Sequence, residues 1–127
     1  MHFTGFIPFE DYYGLLAAAH AVMVLTTENH TLQWGACEAV SLGRPIITSD
    51  WLFLKSYFDK GTIHVDNSVE DICRGVTQMR HEWERFSREV KELREERKLE
   101  WARKHDELMA MIQQAVDGKR AHGGHSD

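Results

Sequence analysis

The chain has 127 residues, 43% hydrophobic and 28% charged, with a formal net charge of -5. That size fits one ordinary domain, and the acidic balance excludes the basic footprint of a nucleic-acid binder. No apolar run approaches the roughly 18 residues of a membrane span, and Met1–Gly5 opens no basic-then-apolar leader, so a transmembrane segment and a signal peptide are not expected and the expected location is cytoplasmic.

Along the chain, Phe3–Phe6 reads as a short strand. Pro8 then leads into a helix over Glu10–Ala19 that gathers Tyr12, Leu15, Leu16 and Ala19 on one face. Ala21–Thr26 is a continuous apolar run, the pattern of a strand covered on both faces. A helix over Thr31–Leu42 stops at Gly43, and Pro45–Thr48 reads as a second buried strand. Asp50 is placed to cap a helix over Trp51–Phe58 that Gly61 closes. Thr62–Val65 is a third strand, and Ser68 with Asp71 caps a helix starting near Val69. Strands alternating with helices through short connections imply an α/β fold with a parallel sheet and helices on both faces. Ligands in such sheets bind beyond the C-terminal strand ends, here after Thr26, Ser49 and Val65.

Composition divides the chain into three parts. Residues 1–79 carry the strands. Residues 80–117 are dense in interleaved charge and form one long C-terminal helix, and 118–127 read as a flexible tail. Trp83, Phe86, Val90 and Leu93 make an apolar stripe that lapses over Arg94–Lys98 and resumes at Leu99, Trp101, Leu108, Met111, Ile112 and Val116. Glu84–Arg88, Arg88–Glu92 and Glu100–Lys104 are expected ion pairs four apart. The stripe suits a helix packed on its own domain or one that docks on another. Cys37 and Cys73 read as half-buried free thiols, and the eight histidines show no metal-ligand spacing, His122 and His125 lying in the Gly-rich tail. No metal and no cofactor is expected.

The stretch from Thr26 to Asp50 holds the chemistry. It leaves an apolar strand, crosses a polar loop and enters a helix whose first N–H groups are unpaired, a ready phosphate site. The expected donors are the backbone N–H groups of Thr31, Leu32 and Gln33. Gly35 leaves the helix face open. Glu38, on the same face and roughly 10 Å from the helix start, offers a carboxylate suited to two vicinal hydroxyls.

This stretch resembles the donor-site motif of retaining glycosyltransferases of the GT-B fold, the family 4 and glycogen-synthase-like group. The family pattern is Glu, seven residues, Glu-Ala, then Gly-x-Pro and a buried strand, and Glu38-Ala39 through Gly43-Arg44-Pro45 to Ser49 matches its second half. Phe3-Thr4-Gly5-Phe6 with Tyr13, Leu16 and Ala21–Leu25 is similar to the run leading into that motif, so the likeness covers about residues 2–79. It implies a partial Rossmann-like sheet, the C-terminal half of a GT-B fold, that binds a nucleotide-diphosphate sugar as substrate. The parent reaction would transfer the sugar to an acceptor hydroxyl with retention.

By this resemblance Glu38 holds the donor ribose, the helix start holds the diphosphate, and the long helix reaches back towards an acceptor domain. The family's first Glu, a contact of the donor sugar, falls on His30, and Glu28 stands two residues earlier. His30 and Glu28 are therefore the candidates for the reacting side of the site. The resemblance places basic phosphate ligands and the whole acceptor domain outside these residues. The chain alone is then expected to be inactive without an N-terminal domain or partner subunit, and to homodimerise through exposed apolar surface. A subunit of a split enzyme, a non-catalytic α/β partner-binding module and an unrelated flavodoxin-like signalling domain are the rival readings. The last lacks its acidic cluster after an early strand.

Overall fold

The computed structural model describes residues 2–123. The chain is α/β: α1 (Phe9–Ala18), β1 (Val22–Val24), α2 (Trp34–Ser41), β2 (Ile46–Ser49), α3 (Leu52–Tyr57), β3 (Thr62–Val65), α4 (Val69–His81) and α5 (Trp83–Gly123). The three strands form one parallel sheet in the order β1-β2-β3, with Val22 opposite Ile46 and Ile46 opposite Thr62. Neighbouring parallel strands need crossovers, and α2 and α3 supply them.

Every residue of β2 is buried, because the central strand is covered on both faces. Its alternating side chains feed two cores. Ile46 packs with Ala36, Ala39 and Val40 of α2 and with Leu54, Phe58, Val90 and Leu93. Ile47 packs on the other face with Ile63, Val65, Met79 and Phe86. Small residues on α2 let that helix approach the sheet: a Cβ on Gly35 would stand 3.2 Å from Val24 Cγ2.

Two helix ends follow from their residues. After α2, Gly43 takes a left-handed φ of 72°, its N–H donating to the Val40 carbonyl at 2.9 Å while the Arg44 N–H reaches the Ala39 carbonyl at 2.8 Å. That is the two-bond C-terminal closure that glycine permits. Before α4, the Asp71 N–H donates to Ser68 Oγ at 3.1 Å, the expected cap. At α3 the expected cap does not form. Trp51 holds the cap position with no side-chain bond, and the Asp50 N–H instead extends the sheet edge to the Val65 carbonyl at 2.8 Å.

Four further expectations change. Phe3–Phe6 is not a strand, since it has no neighbour to pair with. The run Ala21–Thr26 yields only Val22–Val24, and β1 is an edge strand with Met23 41% exposed rather than a strand covered on both faces. Cys73 is exposed, whereas Cys37 is half-buried. The tail expected from residue 118 is helical through Gly123; residues 124–127 lie outside those described.

The chain divides into two compact units, Met1–Arg94 and Glu95–Asp127. In the first, Phe86, Val90 and Leu93 are core residues, so packing continues past the change in composition at residue 80. In the second, α5 carries Leu99, Trp101, Leu108, Met111 and Ile112 exposed. Glu100 is clamped there by Arg97 at 2.7 Å and Lys104 at 2.9 Å. The Lys104 and Arg97 bonds together hold its carboxyl below the usual range, that of Lys104 first. Of the expected pairs only Glu100–Lys104 closes among the described residues; on α5 Arg85 instead takes Glu82 at 2.8 Å and Glu89 at 3.7 Å.

Candidate functional site

The C-terminal strand ends converge on a polar knot. The Thr26 N–H donates to Ser49 Oγ at 2.9 Å, and Ser49 Oγ donates to Asn67 Oδ1 at 2.7 Å. The Thr26 carbonyl accepts from Asn67 Nδ2 at 2.9 Å and from Trp51 Nε1 at 3.0 Å. One residue from beyond each strand, or from its last position, is thereby tied to the other two. Asn67 bends the chain at a left-handed φ of 71°, a conformation asparagine tolerates. The strand ends therefore form a floor of satisfied polar groups.

The loop from Leu25 to Gln33 rises from this floor. Its Glu28 N–H is held by Thr26 Oγ1 at 3.0 Å, and the Glu28 carboxylate is exposed. His30 has a left-handed φ of 64°, its N–H bonded to Asn29 Oδ1 at 2.9 Å and its ring 6.4 Å from that of Phe53 in α3. His30 and Glu28 thus share one exposed loop, and the side-chain hydrogen bond described at Glu38 comes from Tyr12 and from neither of them.

The helix expected from Thr31 begins three residues later, at Trp34. Thr31, Leu32 and Gln33 belong to the loop and its cap, and the first intrahelical bond runs from the Cys37 N–H to the Gln33 carbonyl at 3.1 Å. The N–H groups at the helix tip are accordingly those of Trp34, Gly35 and Ala36, and nothing described accepts from them. The left-handed turn at His30 delays the helix, since it is incompatible with a right-handed turn starting there. Trp34, the first helical residue, is 82% exposed, so no packed side chain of its own closes the tip.

Glu38 follows one turn on, about 6 Å along the axis from Trp34 rather than the roughly 10 Å expected from Thr31. It is half-buried, and its Oε2 accepts from the Tyr12 hydroxyl at 2.7 Å. That bond, with burial second, raises the Tyr12 phenol above its ordinary value, so the phenol stays a donor. Gly35, expected to leave room for a ligand, instead meets Val24. Burial, and then the neighbouring Glu38 charge, raises the Cys37 thiol, which keeps it protonated and unreactive.

Sequence reasoning placed Tyr12 on the packing face of α1 and did not reach Ser49, Trp51 or Asn67 as a cluster. The Asp66-Asn67-Ser68 turn after a strand was the signal available for Asn67.

A separate recess of about 530 Å³ lies where β1 begins, lined by His20, Met23, Ile47, Val76, Met79 and Trp83. Its apolar walls and its position at the opposite strand ends set it apart from the crevice. No group of three or more metal-ligating side chains occurs among the described residues, and no helix among them is long and apolar enough to cross a membrane. Compared with protein-family models, curated proteins and solved structures, the chain finds no match.

Proposed function

We propose that the chain is the donor-binding part of a retaining nucleotide-sugar glycosyltransferase, its sheet forming part of a Rossmann-like domain of the GT-B type. One observation carries the reading: a helix starting beyond the C-terminal end of a parallel strand has open N–H groups at Trp34–Ala36 and a part-exposed carboxylate, Glu38, one turn later. The positive helix end and its donors suit a diphosphate. The carboxylate suits the vicinal hydroxyls of the attached ribose.

As the sugar–phosphate bond breaks, negative charge grows on the leaving diphosphate, and fixed backbone donors at the α2 tip stabilise it. The acceptor hydroxyl attacks the sugar from the face the diphosphate leaves and gives its proton to an oxygen of the departing diphosphate, so configuration is retained. His30 and Glu28, on the loop above the crevice, are the side chains on the sugar side. His30 donates a hydrogen bond to a sugar hydroxyl or a phosphate oxygen. The acceptor site and further cations come from residues outside these, in a second domain or a partner subunit.

A second reading, a non-catalytic α/β partner-binding module, is favoured by one feature. The loop position that the resemblance gives to an acid holds His30, whose ring faces Phe53. Calorimetry with UDP, GDP and ADP on the wild-type chain and on Glu38→Ala separates the two. The donor reading expects weak binding of at least one diphosphate and its further weakening, by about tenfold, in the variant. No binding of any of the three favours the partner-binding module.

A further inference from the structure

Tyr12 and Glu38 lie on different helices, 26 positions apart, and meet through one 2.7 Å bond. α1 buries none of its residues, so apolar burial does little to hold it against the sheet. The backbone of α2, in contrast, is pinned by Ala36 and Ala39 in the core. A Cβ on Gly35 would lie 4.0 Å from the Tyr12 hydroxyl, an ordinary contact distance, so the phenol passes close beside the α2 backbone on its way to Glu38.

A glutamate on a helix face ordinarily samples several side-chain rotamers, and a ligand must restrict them on binding. Tyr12 occupies Oε2 with a single donor, while nothing described donates to Oε1. An ionised carboxylate has about four acceptor sites, so one phenol bond leaves sites for two further hydroxyls. Because the bond to Glu38, and burial after it, raise the phenol above its ordinary value, it remains a donor at neutral pH.

We infer that Tyr12 is a positioning residue for Glu38, holding the carboxylate in the orientation from which it accepts the paired ribose hydroxyls of a nucleoside diphosphate. This rests on the donor-site reading above. Tyr12 does not touch the nucleotide; it lowers the ordering cost of the group that does. The mark of such a role is selectivity for a sugar bearing both hydroxyls, since only those hydroxyls engage the carboxylate.

The test measures binding of UDP, GDP and ADP, and of the 2′,3′-dideoxy form of each, to the full chain, as wild type, Tyr12→Phe and Glu38→Ala, with circular dichroism confirming the fold of each. Wild type should prefer the ribonucleotide of whichever diphosphate it binds by about tenfold, the worth of roughly 1.4 kcal/mol of hydrogen bonding to a charged group. Y12F should lose most of that preference while its affinity for the dideoxy nucleotide stays within about twofold of wild type. E38A should lose the preference entirely. If E38A loses the preference and Y12F keeps it, the inference fails and the donor-site reading stands. Equal weakening of both nucleotides in Y12F would mark a merely structural tyrosine and also overturn the inference. If wild type shows no preference for the ribonucleotide, or binds none of UDP, GDP and ADP, the donor-site reading fails and takes the inference with it.

Discussion

Gly61 and Val90 meet backbone to backbone: a Cβ on Gly61 would lie 2.4 Å from the Val90 nitrogen and 2.5 Å from its Cα. The contact presses α5 against the turn that enters β3, and Gly61 holds a φ of 63° there. A side chain at this position faces a left-handed backbone and a helix that cannot yield locally. Gly61→Ala should therefore lower stability by about 3 kcal/mol or more. Gly75→Ala is the contrast. Its Cβ would stand 2.9 Å from Val65 Cγ1 on an ordinary helical backbone, so the overpacking is partly offset by alanine's helix preference and the loss should be about 1–2 kcal/mol. Urea unfolding of the two variants beside wild type checks both, and equal losses would contradict the close approach at Gly61.

Asn67 is the keystone of the polar knot, with one bond to Ser49 and one to Thr26. Asn67→Ala removes both bonds and leaves a side chain poorly suited to the left-handed turn. We expect a loss of about 2–3 kcal/mol in denaturant unfolding. Asn67→Gly relieves the backbone and should lose less. The reverse order would mean that the left-handed turn carries little of the loss, since both variants remove the same two bonds.

His64 sits half-buried on β3 with Nε2 3.3 Å from the Leu54 carbonyl. Burial, first, holds its ring below the ordinary value of 6.5; the Leu54 bond and the more distant Asp50 charge oppose this, and Lys55 adds to it. The unfolded chain then binds the proton more readily than the folded one. The neutral ring's contribution to stability is full above the unfolded value and is lost as pH falls through 6.5 towards the lower folded value. Melting temperatures between about pH 7.5 and pH 5.5 should fall more steeply for wild type than for His64→Gln, which does not titrate there. Parallel profiles would show that His64 contributes nothing to the pH response.

Met23 on the edge strand β1 stands beside the apolar recess, and among the described residues the outer backbone edge of β1 pairs with no other strand. An open edge next to apolar surface invites association. Sedimentation velocity should show concentration-dependent self-association, and Met23→Lys should reduce it, since a charge on an edge strand opposes pairing. A clean monomer at every concentration would count against homodimerisation through exposed apolar surface.

The β-α alternation was legible because each strand is a short apolar run closed by turn residues, and Thr62–Val65 falls at the expected residues. Gly43 and Ser68 were equally legible, since each acts through bonds to residues within a few positions along the chain. β1 was misjudged for the opposite reason. An apolar run states that a strand can be buried, not that neighbours exist to bury it, and here the sheet ends at β1. The start of α2 shifted because the left-handed turn at His30 is a backbone choice made by the loop as a whole.

The order of strands and helices, the two glycine turns, the Ser68 cap and the position of Glu38 on a helix after a strand were thus determined by the chain's local chemistry. Contacts between distant positions were decided only in the tertiary structure: Tyr12 with Glu38, Ser49 with Asn67, and Gly61 with Val90. The physical reason is range. Propensity, capping and periodicity act within a few residues, whereas which side chain satisfies a carboxylate 26 positions away depends on how two helices settle on one sheet.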